Sequence, residues 1–387
     1  MHERSVLGPA DLDDTTLTSM VADLLSAEPD TVTLVSSTAE EFPYDLDSIT
    51  TAGRYVVSGE ALVGRERAAY ELFVKVVHSW ARSPFFAHVP DEMKEVAEAS
   101  VPWRTEPLAY RSDLGERLPD GLAMPRALGV FDLDEKSAAV WLEMVAVVPR
   151  AWDDALSTRA AYLLGRLSGS PHVAELARVG QHPFTMADYV FGRLETQVVP
   201  ILHDDQIWRH PLVAAAFPDG LRDRLRAAAA ELPAYLGEVM ALPHLAAHGD
   251  ACPNNLLTTA DPDAFTLIDF GFWQPMPAGA DLSQLLIGDV QIGKARAGDL
   301  AARDDAHVRE YVRGLRDEGC DIPEPAVRRA HALHMLMMSG LSAVPVELLD
   351  RPPSAALEAQ VADRAAIATF CLDRVDETSG QVSSRPG

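Results

Sequence analysis

Asp250, Asn255 and Asp269 are of types that can do chemistry together. They fall in one stretch of the 387-residue chain, residues 245–273, LAAHGDACPNNLLTTADPDAFTLIDFGFW. Two carboxylates and an amide, brought together by a short excursion between apolar segments, can hold a hard cation and orient a hydroxyl. Oxygen ligands of this kind suit Mg²⁺, which keeps part of its shell for water and substrate phosphates. Phosphoryl transfer is the chemistry this predicts. The bland alternative is a loop whose Asp and Asn side chains bond nearby backbone, as they do in turns. The position of Asp269 favours the functional reading. It ends the apolar run FTLI, where a carboxylate tends to face a cleft, and Gly271 leaves the chain free to turn. Asn255 stands at the other end of the same short hairpin.

The rest of the chain must position these groups. Residues 1–30 read as a ragged start and one amphipathic helix over 15–26, stopped near Pro29. Residues 31–37, TVTLVSS, alternate and are rich in β-branched types, so a strand is expected. Residues 38–48 read as a polar loop. Residues 49–64 read as extended, with turn signals at Gly53, Gly59 and Gly64. Residues 67–77, RAAYELFVKVV, read as a further strand. The chain has only four lysines, Lys75, Lys94, Lys136 and Lys294, and only Lys75 sits inside a β-type apolar run. Either its head snorkels from an edge strand, or it points at a phosphate or a buried carboxylate.

Residues 90–118 are helical in composition, punctuated by Pro102 and Pro107. Glu106 lies there, with Trp103, Leu108, Tyr110 and Leu114 on inward faces. Strands are expected at 127–133 and 138–144, around a turn at 134–136. The first 145 residues therefore read as an antiparallel sheet of about five strands plus a helix. Beyond them the apolar spacing is nearer ~3.6 than ~2. Helices are expected within 155–240 and again within 278–387, with a frayed tail after Glu377. The expected fold class is α+β, with a β-rich lobe over 1–145 and a helical lobe over 146–387.

Composition narrows the function. An apolar content of 48% and a charged content of 24% are ordinary for a globular protein. A formal net charge of −25 and a pI near 4.8 argue against nucleic acid and anionic membrane surfaces as partners. Acidity fits a cationic substrate, and equally fits plain solubility, the commoner cause. Cys252, Cys320 and Cys371 form no CxxC, so neither a disulfide framework nor a zinc site is expected. The opening MHERSVLGPADLDD has no apolar h-region. No run reaches the ~18 apolar residues of a spanning helix. The expectation is a soluble, cytoplasmic protein, either monomer or homodimer.

His248, Gly249, Asp250 and Asn255 form HGD-x₄-N, and Ile268, Asp269, Phe270 and Gly271 form IDFG. This pair of motifs resembles the aminoglycoside phosphotransferase and choline kinase family. That family shares its fold and catalytic scheme with protein kinases, whose signature is HRD-x₄-N and DFG with an upstream strand lysine and helix glutamate. The resemblance covers roughly residues 30–345 and implies a bilobal kinase-like fold. It implies ATP or GTP as phosphate donor with Mg²⁺, and a small hydroxyl-bearing acceptor such as an aminoglycoside or another amino sugar. Such activity is one route to antibiotic resistance. By the same resemblance Lys75 would meet the nucleotide phosphates and Glu106 would hold Lys75. Asp250 would accept the hydroxyl proton, and Asn255 and Asp269 would hold the metal. Residues 49–59, ITTAGRYVVSG, take the place of the phosphate-covering hairpin but lack G-x-G-x-x-G. Backbone amides of 51–54, Thr51 and Gly53 among them, become the phosphate contacts. The adenine falls at the lobe link, 143–147, near Glu143 and Val145. The alternative is a kinase-fold protein turned to binding or to different, non-phosphorylating biosynthetic chemistry. Protein-kinase activity fits less well, because the helical insertion before the catalytic loop suits a small-substrate pocket.

Other motifs carry less. Residues 288–294 match G-x₄-G-K, but Ala295 replaces the Ser or Thr of a P-loop and the context is helical. Asp281 opens a helix, where the dipole favours it, and in kinase-like folds an Asp here braces the catalytic loop. His248 reads as a loop support. His331 and His334 read as packing, with no carboxylate adjacent. Cys252 shows no sign of nucleophilic use, and residues 335–338 read as core or pocket lining. Asp153, Asp154, Asp204 and Asp205 are candidates for ammonium binding by composition only.

Overall fold

The computed structural model describes residues 2–44, 48–181 and 184–380. Its strands, in chain order, are β1 His2–Glu3, β2 Val32–Glu41, β3 Thr51–Val63, β4 Glu66–His78, β5 Leu122–Ala123, β6 Ala127–Asp134, β7 Ser137–Glu143, β8 His244–Ala247, β9 Leu256–Thr258, β10 Phe265–Leu267 and β11 Gln274–Pro277. The main sheet runs β1-β2-β3-β4-β7-β6 and is antiparallel except for the short β1–β2 pair. Two small sheets, β5-β10-β9 and β11-β8, lie in the helical part. The architecture is α+β, with an antiparallel β-rich N-terminal part and a mainly helical C-terminal part.

Successive side chains on a strand face opposite ways. On β4, Tyr70, Leu72, Val74 and Val76 pack with Leu17, Met20 and Val21 of the helix Asp14–Leu24. Phe73, Lys75 and Val77 therefore take the other face, toward the helical lobe. The β3–β4 hairpin turns at Gly64, whose φ of 63° suits the first position of a two-residue loop. Gly53 and Gly59 do not turn, contrary to the sequence expectation. They lie inside β3, where a Cβ would meet the Tyr55 hydroxyl and the Ser36 carbonyl respectively. The loop expected over 38–48 also shifts. β2 continues to Glu41, so the β2–β3 loop spans 42–50, of which 45–47 lie outside the described residues. The start is not ragged: buried Arg4 pairs with Asp11 at 2.8 Å and Asp14 at 2.9 Å. Of the tail expected to fray after Glu377, Thr378 still belongs to the helix Ala355–Thr378, and residues beyond 380 lie outside the described residues.

The helical part is built on Asp154–Gly169, Asp281–Gln291, Leu300–Asp317, Glu324–Met335 and Ala355–Thr378. Met335 and Met337 are fully buried in its core. Gly288 lies in the helix Asp281–Gln291, so a helix and not a strand leads into the G-x₄-G-K segment, which is therefore no P-loop. Among the described residues no helix is long and apolar enough to cross a membrane. Asp154–Gly169 and Leu300–Asp317 touch backbone to backbone. A Cβ on Gly165 would overlap the Tyr311 carbonyl, and one on Gly314 the Tyr162 carbonyl. Overpacking there outweighs the propensity gain of about 1 kcal/mol. Gly165→Ala should lower stability by roughly 1–3 kcal/mol. Gly237→Ala, at an exposed helix position with open space at its Cβ, should raise it by roughly 0.5–1 kcal/mol. Urea unfolding of both variants checks this, and shifts of the same sign would contradict the packing argument.

Candidate active site

Lys75 projects from β4 into the space between sheet and helices. Its Nζ lies 2.6 Å from Glu106 Oε2 and donates to Asp269 Oδ1 at 2.9 Å. Lys75 and Glu106 are both buried. Glu106 sits in the short helix Thr105–Arg111, which rests on the other lobe through an edge-to-face contact of Tyr110 with Phe270. Burial disfavours a lone ammonium, but the two carboxylates outweigh it and Lys75 is raised. Burial likewise pushes Glu106 up to about 6, against the pull of Lys75.

Strand β8 delivers the loop 248–250. The Asp281 carboxylate accepts from the His248 amide at 2.9 Å and the Gly249 amide at 2.8 Å. His248 Nε2 bonds the Ile268 carbonyl at 2.9 Å, which leaves Nδ1 to accept from the Asp250 amide at 3.3 Å. Gly249 has φ 85°, and a Cβ there would strike the Phe272 carbonyl. Asn255 donates from Nδ2 to the Asp250 carbonyl at 2.9 Å and to Asp250 Oδ2 at 3.0 Å. The turn expected at Gly271 occurs instead at Asp269, whose φ of 65° and ψ of 63° are left-handed. Asp tolerates that conformation better than most residues. Burial raises Asp250. The same effect on Asp269 is overcome by Lys75, so Asp269 is lowered. The two carboxylates are thus driven apart in acidity.

The cleft in front of them holds about 210 Å³ and is lined by Tyr44, Arg54, Trp103, Asp250, Asp269 and Phe272, among others. Asn255 Oδ1 and Asp269 Oδ2 accept no hydrogen bond from the described residues. Two free hard oxygens fit Mg²⁺, which typically takes one or two carboxylates and completes its shell from phosphates and water.

Lys75, Glu106, Asp250, Asn255 and Asp269 are therefore brought together, although Lys75 and Asp269 are 194 residues apart. Thr51 and Gly53 are not in the hairpin tip: they begin β3, within its pairing to β4. Glu143 ends β7 and accepts from the Arg126 amide at 3.0 Å; Val145 lies in the irregular link after it. The four acidic candidates are elsewhere. Asp153 and Asp204 cap helices, and Asp154 and Asp205 pair with Arg303 and Arg226. His331 does have a carboxylate partner, Asp304 at 2.8 Å, reached across helices. Burial pushes the Cys252 thiol up to about 12, which removes the thiolate a nucleophile needs. Arg54 was expected at the phosphates through its backbone amide only, and its side chain, like those of Tyr44, Trp103 and Phe272, went unrecognised as a cleft group. Arg54 could have been found by counting: it and Lys75 are equidistant from the Gly64 turn and so pair across the hairpin.

The model of the phosphotransferase enzyme family matches residues 108–315, more than half of the chain. The chain belongs to this family. The match contains Asp250, Asn255, Asp269 and Asp281, while Lys75 and Glu106 precede it. No curated protein sequence matches this phosphotransferase. Among solved structures, an aminoglycoside phosphotransferase from Alicyclobacillus acidocaldarius is 16% identical, covering 88% of this chain and 93% of that one, with a TM-score of 0.47. A choline/ethanolamine kinase family protein from Mesorhizobium loti is 15% identical over 94% and 99%, with a TM-score of 0.46. Plasmodium vivax ethanolamine kinase is 11% identical over 94% and 89%, with a TM-score of 0.44.

Two outcomes are expected of this site. Asp281→Ala strips the acceptor from two loop amides, and a misplacement of order 1 Å can cost about 10²-fold in rate. Turnover should fall by that order with nucleotide affinity little changed; an equal loss of both would place Asp281 elsewhere in the scheme. Protonating Glu106 loosens its hold on Lys75. Nucleotide kcat/KM should therefore decline as pH falls through about 6, and a profile flat down to pH 5 would contradict the pairing's role.

Proposed function

We propose that this phosphotransferase moves the γ-phosphate of ATP or GTP onto a hydroxyl of a small molecule, an aminoglycoside, amino sugar or related natural product. The observation that carries the reading is the single cleft in which Lys75, braced by Glu106, meets Asp269 beside the Asp250–Asn255 pair.

Each residue then has a task. Lys75 steadies phosphate oxygens of the donor, and Glu106 keeps it aimed. Asp250, with its acidity reduced by burial, accepts the hydroxyl proton as the acceptor oxygen bonds to phosphorus. The bond from phosphorus to the bridging oxygen breaks, and the nucleoside diphosphate leaves. Asn255 holds Asp250 in place by two hydrogen bonds from Nδ2, which leaves its Oδ1 free to take a metal ion. Asp269 supplies the second oxygen. Bound Mg²⁺ would neutralise charge developing on the phosphates, the main electrostatic help in such transfers. Beside Asp250, partly exposed Phe272 offers an apolar face on which a sugar ring can lie.

A nucleotide-consumption screen across aminoglycosides, amino sugars and nucleosides tests the acceptor class. Thermal shift tests the donor, since a ligand binding only the folded state adds about 2.7 kcal/mol at one hundred times its Kd. Asp250→Ala should lose turnover and keep the Mg–nucleotide shift, whereas Asp269→Ala should lose the shift as well. No shift and no consumption with either nucleotide at millimolar concentration would sink the proposal in favour of a binding module.

A further inference from the structure

Lys75 cannot by itself make the cleft attractive to a polyphosphate. Its ammonium is already matched by two carboxylates at 2.6 and 2.9 Å, and it is almost wholly buried. Asp250 adds a third negative charge. Before any metal is counted, Lys75 alone leaves the cleft with more negative than positive charge.

One basic side chain does line the cleft, Arg54. It pairs directly with Lys75 across the β3–β4 ladder, so both side chains leave the same face of the sheet. Its guanidinium lies 3.9 Å from the centre of the Tyr44 ring, which also lines the cleft. Among the described residues no carboxylate comes within ion-pair distance of it. An arginine carries five N–H donors in a planar fork suited to phosphate. Here that fork lies over an aromatic ring, and the half-buried Arg54 lines the same cleft as Asp269 and Asp250. The β2–β3 loop above it has no glycine-rich motif, and Pro43 lacks an amide to donate.

We propose that Arg54, stacked on Tyr44, is a phosphate-binding residue that grips the terminal phosphates of the nucleotide from the floor of the hairpin. It takes over the work that backbone amides of a glycine-rich lid would do. This rests on the phosphotransferase reading above, and adds to it a surplus cation from the sheet itself. A guanidinium placed for the β- and γ-phosphates favours triphosphate over diphosphate and is indifferent to the nucleoside.

Calorimetric titration of the full chain and its Arg54→Gln and Arg54→Lys variants with Mg–ATP, Mg–ADP and AMP tests this. Charge-assisted bonds of this type predict a roughly ten- to hundredfold loss of ATP affinity in Arg54→Gln. ADP affinity should fall less, and AMP affinity should stay within about twofold. Arg54→Lys should recover part of the loss, since it keeps the charge without the fork. Melting temperatures without nucleotide should fall only slightly, since Arg54→Gln loses the contact with the Tyr44 ring but no ion pair among the described residues. Equal losses for all three nucleotides, or ATP affinity unchanged in Arg54→Gln, would overturn the role of Arg54 alone. Failure of the parent chain to bind any of the Mg–nucleotides would overturn the phosphotransfer reading, and this inference with it.

Discussion

A buried ammonium needs compensation, and most of the site follows from how Lys75 finds it. Removing one partner of a buried pair leaves an uncompensated charge, at a cost of about 3–5 kcal/mol. Here one partner comes from a neighbouring helix and the other from the far lobe. Three local features must therefore agree. The alternation of β4 must turn Lys75 away from the Leu17–Met20 core. The helix Thr105–Arg111 must lie where Glu106 can reach it. The chain after β10 must reverse at Asp269 rather than one or two residues later. Each is a separate demand on sequence, and the ion pairs join them.

The loop that carries Asp250 is held from below rather than by its own conformation. Asp281 takes up two of its amides, His248 ties it to the strand end at Ile268, and Asn255 locks the carboxylate. Left-handed backbone at a residue other than glycine stores strain and survives where the surroundings over-determine it. Asp269 meets that condition: Lys75 holds its side chain, and the residue just before it is bonded through its carbonyl to His248 and through its amide to the Asn255 carbonyl.

Much of this was legible before any coordinates. Local periodicity placed β4 and Lys75 within it, and spacing alone singled out Asp250, Asn255 and Asp269. What stayed hidden has a common cause. Asp at a helix start reads the same whether it caps, as Asp153 and Asp204 do, or binds a ligand. Glycines inside β3 read as turns, because the sequence does not show that Tyr55 and the Ser36 carbonyl occupy the space a side chain would need. His331 looked partnerless because Asp304 lies on another helix. The hairpin tip was misplaced because strand ends are set by pairing partners, and β2 pairs through Glu41.

The close helix pair has a further consequence, for motion. Gly165 against Tyr311 and Gly314 against Tyr162 leave Asp154–Gly169 and Leu300–Asp317 no room to slide, so the two move as one body. The link from the sheet is pinned early, because the Val148 amide and carbonyl both bond Thr258, at 2.8 and 2.7 Å. Between the end of β7 at Glu143 and that pin lie residues 144–147, with no regular structure. Rocking of one lobe against the other has to bend these four residues and also residues 124–126, because β5 pairs with β10 of the helical part while β6 belongs to the main sheet. The mouth of the cleft then opens about an axis close to where these crossings leave the sheet.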